Sequence, residues 1–243
     1  MRIDPSVVFW RKPQMHRYVT AALVIMAGLL SLGQAALAQD AAQPVYIVTY
    51  MEVAPDSASE ARQLILAYAN EARKASGAVQ VDALQRISDP GHFALIEQWQ
   101  SHGAKQAFAA TDPVTKFRAG LNPLQSAAYD ERTHAALSVG PSTPASGDPV
   151  VILTHVDVVP TQVEPGTAKV KSFVEQGRSA KGNRRFDDVV QLTRKNHFTV
   201  IESWDSLTDK NAWISTKTAR AFREELQPMS GALYDERAYK LLR

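Results

Sequence analysis

Two short stretches of this chain set a carboxylate among aromatic side chains at identical spacing. Phe93, Glu97 and Trp99 stand in HFALIEQWQS, and Phe198, Glu202 and Trp204 in HFTVIESWDS. Read as strands, each trio shares one face, because strand side chains alternate with period two. A carboxylate on an apolar face is costly unless paired. It can act as a base with a raised pKa or hold one. The bland alternative is a structural ion pair with Arg132 or Arg237, or a solvated strand end. His92 and His197 open the same stretches. There an imidazole can line a pocket mouth and move protons near neutral pH, or sit exposed at a turn.

The stretches belong to a longer repeat. Residues 45–134 and 150–239 align without a gap, Val45 falling on Val150, and about 27 of 90 pairs are identical. AAYDER (127–132) returns as ALYDER (232–237), and Pro55, Gly77 and Pro123 return as Pro160, Gly182 and Pro228. Each residue therefore has an internal counterpart as a control. Two exchanges stand out against it: Tyr50 aligns with His155, and His134 with Tyr239. Both residue types join an aromatic body to a hydrogen-bonding tip. That suits a phenol-binding cavity, and equally a buried group bonded to backbone. Tyr50, His155, Glu97 and Glu202 are the catalytic candidates. His92, His197, His134 and Tyr239 are candidates for substrate binding. So are Trp99, Trp204 and Trp213, whose rings can stack a flat ligand or fill core. Along Tyr129-Asp130-Glu131-Arg132 and Tyr234-Asp235-Glu236-Arg237, Tyr and Glu face one way, Asp and Arg the other; these read as interface or ladder pairs.

The elements that must position these groups are legible in each copy. Val45 to Val53 is a β-branched apolar run, a buried strand. Pro55 ends it, and Ser57-x-x-Glu60 fits a helix capping box. Leu64, Ile65, Tyr68, Ala69 and Ala72 make an apolar stripe, stopped by Gly77. Strands are expected over Val79–Ile87 and His92–Gln100, joined by the Asp89-Pro90-Gly91 turn. Ser101 caps a helix to Ala110, a second helical piece runs from Pro113 to Leu121, Pro123 breaks it, and Ser126 to His134 is the closing strand. The order β-α-β-β-α-β is the ferredoxin-like plan. Helices cover one face of such a sheet, and two copies can cover the other by packing sheet against sheet into a barrel. The expected class is α+β: two tandem ferredoxin-like units over 45–137 and 150–243, joined by a linker over 138–149 (SVGPSTPASGDP).

The pattern F-x-x-x-E-x-W-x-S, present as Phe93, Glu97, Trp99, Ser101, with Ala104 following, and again as Phe198, Glu202, Trp204, Ser206, resembles the antibiotic biosynthesis monooxygenase family. The likeness spans both repeats. It implies a dimeric α+β barrel, here fused into one chain. It also implies oxidation of quinols or phenolic polyketides by O₂ with no metal or flavin. The family often places a His nine residues after the motif Trp; Phe108 and Trp213 hold that place here, so both become substrate-facing candidates on the family's terms. The resemblance thus implies a cofactor-independent oxygenase for a small aromatic, quinol-like ligand. Loss of that His favours the alternative, a non-catalytic small-molecule-binding module that keeps the barrel.

The N-terminus reads as a secretory leader. Arg11, Lys12 and Arg17 precede the apolar run Tyr18 to Leu32, and Ala36-Leu37-Ala38 is a small-x-small cleavage site. A periplasmic or secreted protein is expected, cleaved near Ala38 and without stable membrane association afterwards; an uncleaved anchor is the alternative. Residues 1–38 hold Arg2, Arg11, Lys12 and Arg17 against Asp4, so without them the formal charge of +2 becomes −1. A near-neutral chain makes no electrostatic case for nucleic acid. With no cysteine, disulfides, thiolate zinc and a Cys nucleophile are excluded. No metal-ligand spacing is evident, and Walker, G-x-G-x-x-G, H-E-x-x-H and G-x-S-x-G motifs are lacking. Further homo-oligomerisation is left open.

Overall fold

The computed structural model describes residues 43–143 and 147–243; the leader and its cleavage point lie outside them. The first half runs β1 (Val45–Glu52), α1 (Ala58–Lys74), β2 (Ala78–Arg86), β3 (His92–Trp99), α2 (His102–Ala109), α3 (Asp112–Leu121) and β4 (Asp130–Ser138). The second repeats it as β5 (Val150–Asp157), α4 (Val163–Gly177), β6 (Asn183–Gln191), β7 (His197–Trp204), α5 (Leu207–Ile214), α6 (Lys217–Leu226) and β8 (Asp235–Leu241). Each half is a βαββαβ unit.

Local chemistry accounts for most boundaries. Gly77 and Gly182 turn the chain out of α1 and α4 at φ 83° and 78°, where a side chain is strained. Ser101 and Ser206 cap α2 and α5 by accepting from the amides of Ala104 and Asp209. Two expectations need correction. Ser57 forms no capping box: it closes a 3₁₀ turn opened by Pro55, its backbone is helical at φ −90°, ψ −4°, and its side chain makes no cap bond. The closing strand does not span 126–134 but begins at Asp130 and runs on to Ser138. The reason is tertiary, because Ala135, Ala136 and Ser138 pair with Val190, Val189 and Asp188 of the other half.

The two four-stranded sheets do not merely stack. Their edges join, β2 to β8 and β4 to β6, giving one closed barrel in the order β1-β3-β2-β8-β5-β7-β6-β4. Closure removes every open edge. Eight strands enclose an interior that side chains can fill. Strands buried on both faces explain why β1 and β5 read as continuous apolar runs rather than alternating ones.

Three cores follow. Val45, Ile47, Met51, Phe93, Leu95 and Trp99 face α1–α3 with Ile65, Tyr68 and Phe117. Ile152, Val156, Phe198, Val200 and Trp204 face α4–α6 with Phe173 and Phe222. The alternate residues, Tyr46, Val48, Ile96, Val151, Leu153, Ile201 and Tyr239, fill the barrel. Sheet parity thus sends the sequence candidates to two separate places.

Candidate active site

On the helix-facing side the two copies have diverged. Glu97 is fully buried and fully partnered. It accepts from Tyr68 Oη at 2.9 Å, Trp99 Nε1 at 2.7 Å and Lys105 Nζ at 2.9 Å. Its partner is therefore not Arg132 or Arg237. Arg132 pairs across from Val48, whose side chain lines the barrel, whereas Glu97 pairs across from Ile47, which faces the helices. The two side chains lie on opposite faces of the sheet. In the second copy Phe173 stands where Tyr68 was, and Lys210 turns to Glu236. Glu202 keeps the bond from Trp204 Nε1 at 2.7 Å. Burial, only partly offset by that bond, pushes its carboxyl up to about 8.

Phe108 and Trp213 lie between sheet and helices, as the resemblance implies, but that space is filled. Phe108 stacks on Trp99 at 5.2 Å between ring centres and meets Tyr68 at 5.5 Å. Trp213 packs against Phe173 at 5.7 Å and Phe186 at 6.2 Å. Trp99 and Trp204 are fully buried. These four rings are packed as core.

The Tyr/His exchanges converge elsewhere, at one end of the barrel. Tyr50 from β1 and His155 from β5 meet edge to face, 6.5 Å between ring centres, across the seam of the two halves. They line a cavity of about 170 Å³ with Arg132, Arg237, Asp130 and Asp235. Arg132 and Arg237 stand 5.2 and 5.7 Å from the centre of the Tyr50 ring, within cation–π range. Each is tied to an aspartate two residues before it, Arg132 Nη2 to Asp130 at 2.6 Å and Arg237 Nη2 to Asp235 at 2.8 Å. Arg132 Nη1 also donates to the imidazole of His155, meeting Nε2 more closely than Nδ1. Thr199 Oγ1 bridges inward, 3.4 Å from His155 Nδ1 and 3.1 Å from His134 Nε2. Burial, with Arg132 next, pushes His155 down to about 4. Burial does the same to His134, also to about 4. Both imidazoles are neutral near pH 7. Burial raises the Tyr50 phenol, and Tyr239 is buried in the same barrel core.

His92 and His197 sit at strand starts beside carboxylates: His92 is 3.3 Å from Glu52 and 2.7 Å from Asp89, and His197 is 2.8 Å from Asp157. Three residues that the structure sets against the candidates were not candidates in the sequence. Arg132 and Arg237 were legible as repeated YDER arginines, as ion-pair partners for the glutamates or as ladder pairs. Lys105, identical to Lys210 across the repeat, held the same signal.

The sequence profile of one family, described as antibiotic biosynthesis monooxygenase, matches residues 44–120 and again 149–225. No curated protein matches the chain. Among solved structures, a protein provisionally named a monooxygenase from Fusobacterium nucleatum superposes with a TM-score of 0.75 at 15% identity, covering 83% of this chain and 94% of its own. One so named from Lactobacillus acidophilus gives 0.67 at 16%, covering 83% and 94%. An anthrone oxidase-like protein gives 0.65 at 10%, covering 83% and 92%. At these identities the likeness is one of fold.

Proposed function

The chain belongs to the antibiotic biosynthesis monooxygenase family, and on that premise we propose that it oxidises an electron-rich quinol or phenol with O₂ in the barrel-end cavity, needing no flavin. The observation that carries this reading is the pair of guanidinium groups flanking Tyr50 and His155. Positive groups fixed around an aromatic site stabilise a phenolate as it forms. The substrate hydroxyl would hydrogen-bond to the imidazole of His155 or the phenol of Tyr50, and Arg132 and Arg237 would take up the developing charge. Monooxygenation of a hydroquinone is self-balanced: one oxygen atom enters the ring, the other leaves as water, and the substrate supplies all the electrons. The protein has to bind, deprotonate and exclude water. The name of one structural relative, an anthrone oxidase-like protein, supports an aromatic substrate.

The test is O₂ uptake by purified, chelator-treated protein across a hydroquinone panel, with Tyr50→Phe and Arg132→Gln beside it. Turnover without flavin absorbance, reduced at least tenfold in either variant, is expected. Binding of quinols with no oxidation would make the protein a binding module. Oxidation insensitive to both variants would place the chemistry elsewhere. The reading includes export: the mature protein should begin at Gln39 by N-terminal sequencing, and an intact leader in a membrane fraction would replace export with anchoring.

A further inference from the structure

Beside the cavity, the register of β5 and β7 assembles three donors that no short spacing announces. Asp157 lies directly across from His197, and His155 is two residues before Asp157 on the same face. The ligand atoms of His155, Asp157 and His197 all lie within 4.8 Å of one another. We propose that these three residues bind a divalent first-row transition metal.

The donor chemistry is specific. Two imidazoles and one carboxylate suit zinc, cobalt, nickel or ferrous iron, whereas calcium and magnesium seek oxygen-rich shells. Three protein ligands leave further positions open, as in sites that take an exogenous ligand. Of the three, His155 also lines the barrel-end cavity. The second observation is an orphaned atom. Asp157 Oδ1 is buried and makes no hydrogen bond, although His197 Nδ1 stands only 2.8 Å away. A ring nitrogen that close without directing its in-plane hydrogen at the oxygen leaves that oxygen open to another partner. A buried carboxylate oxygen left unpaired is costly, and a cation would satisfy it.

The first copy supplies the contrast. Its matched residues are Tyr50, Glu52 and His92, so one imidazole is missing. His92 Nδ1 likewise lies 2.7 Å from Asp89 without a hydrogen bond, with Glu52 on its other side, whereas Arg194 stands at the place matched to Asp89. Only the second copy offers two histidines to one carboxylate. Arg132 from β4 meets His155 Nε2, leaving Nδ1 as that residue's donor, while Asp130 and Asp235 supply negative charge beside it.

The inference goes beyond the oxygenase reading and is tested without substrate. Chelator-stripped mature protein is titrated with Co²⁺, followed by its visible d–d absorbance, and with Zn²⁺ against a chromophoric chelator. One equivalent should bind. Loss of an outer-shell partner already weakens metal sites about 10–100-fold, so Asp157→Asn and His197→Ala should each weaken binding at least about a hundredfold. His92→Ala, at the matched place in the first copy, should leave it unchanged. Circular dichroism checks folding, and if His197→Ala does not fold, Asp157→Asn, which keeps the side-chain shape, decides alone. Absent binding, binding untouched by Asp157→Asn, or equal loss in His92→Ala would overturn the site. None of these outcomes bears on quinol oxidation by metal-free protein.

Discussion

The divergence of Glu97 and Glu202 predicts that one substitution, made at matched positions, acts with opposite signs at alkaline pH. Glu202 holds a proton in the folded state that the unfolded chain releases, since its carboxyl rises from 4.5 to about 8. Folding stability associated with it is therefore greatest at low pH and falls as pH rises between those two values, flattening above about 8. At 1.36 kcal/mol per pKa unit the full loss is on the order of 3–5 kcal/mol. Glu202→Gln removes this slope while its amide oxygen can still accept from Trp204 Nε1. The new buried NH₂ group costs about 1–3 kcal/mol if unpartnered. The variant should thus be slightly less stable than the parent at pH 5 and more stable by about 2 kcal/mol at pH 9, the two stability curves crossing between. Asp188, also buried and raised, contributes the same slope to both proteins and cancels. Glu97→Gln instead strands the buried Lys105 ammonium and should cost about 3–5 kcal/mol at every pH from 5 to 9. Urea unfolding at pH 5, 7 and 9, extrapolated linearly, measures both differences. If Glu202→Gln is destabilising by a constant amount across that range, Glu202 is ionised and paired in the fold, and the argument from its lost partners fails.

Phe108→His should destabilise by about 2–3 kcal/mol in the same assay, because it puts a polar ring against Trp99 and Tyr68. It should leave ligand affinity at the barrel end unchanged by fluorescence titration; altered affinity with little stability loss would return Phe108 to the binding site. Residues 150–243 expressed alone expose the edges of β6 and β8, which the other half covers in the barrel. Light scattering should find a self-dimer or aggregate; a stable monomer would mean that closure is not needed for folding.

The sequence determined what is local or periodic. The apolar run of β1, the glycine stop at Gly77, the serine cap at Ser101 and the βαββαβ order all follow from side-chain period, turn chemistry and capping, forces that act within a few residues. Duplication at constant spacing made a two-unit barrel legible, and strand parity alone placed Glu97 beside Trp99. What lay beyond it was long-range. Closure of the barrel, not the strand's own residues, carries β4 to Ser138. Lys105 reaches Glu97 across a strand-to-helix connection, and nothing in the aligned stretch shared by the two copies announces that Lys210 turns to Glu236 instead. The meeting of Tyr50 with His155, Arg132 and Arg237, and of His155 and Asp157 with His197, depends on which strands hydrogen-bond and in what register. Such pairing is decided by burial of both halves at once, and no window of sequence contains it.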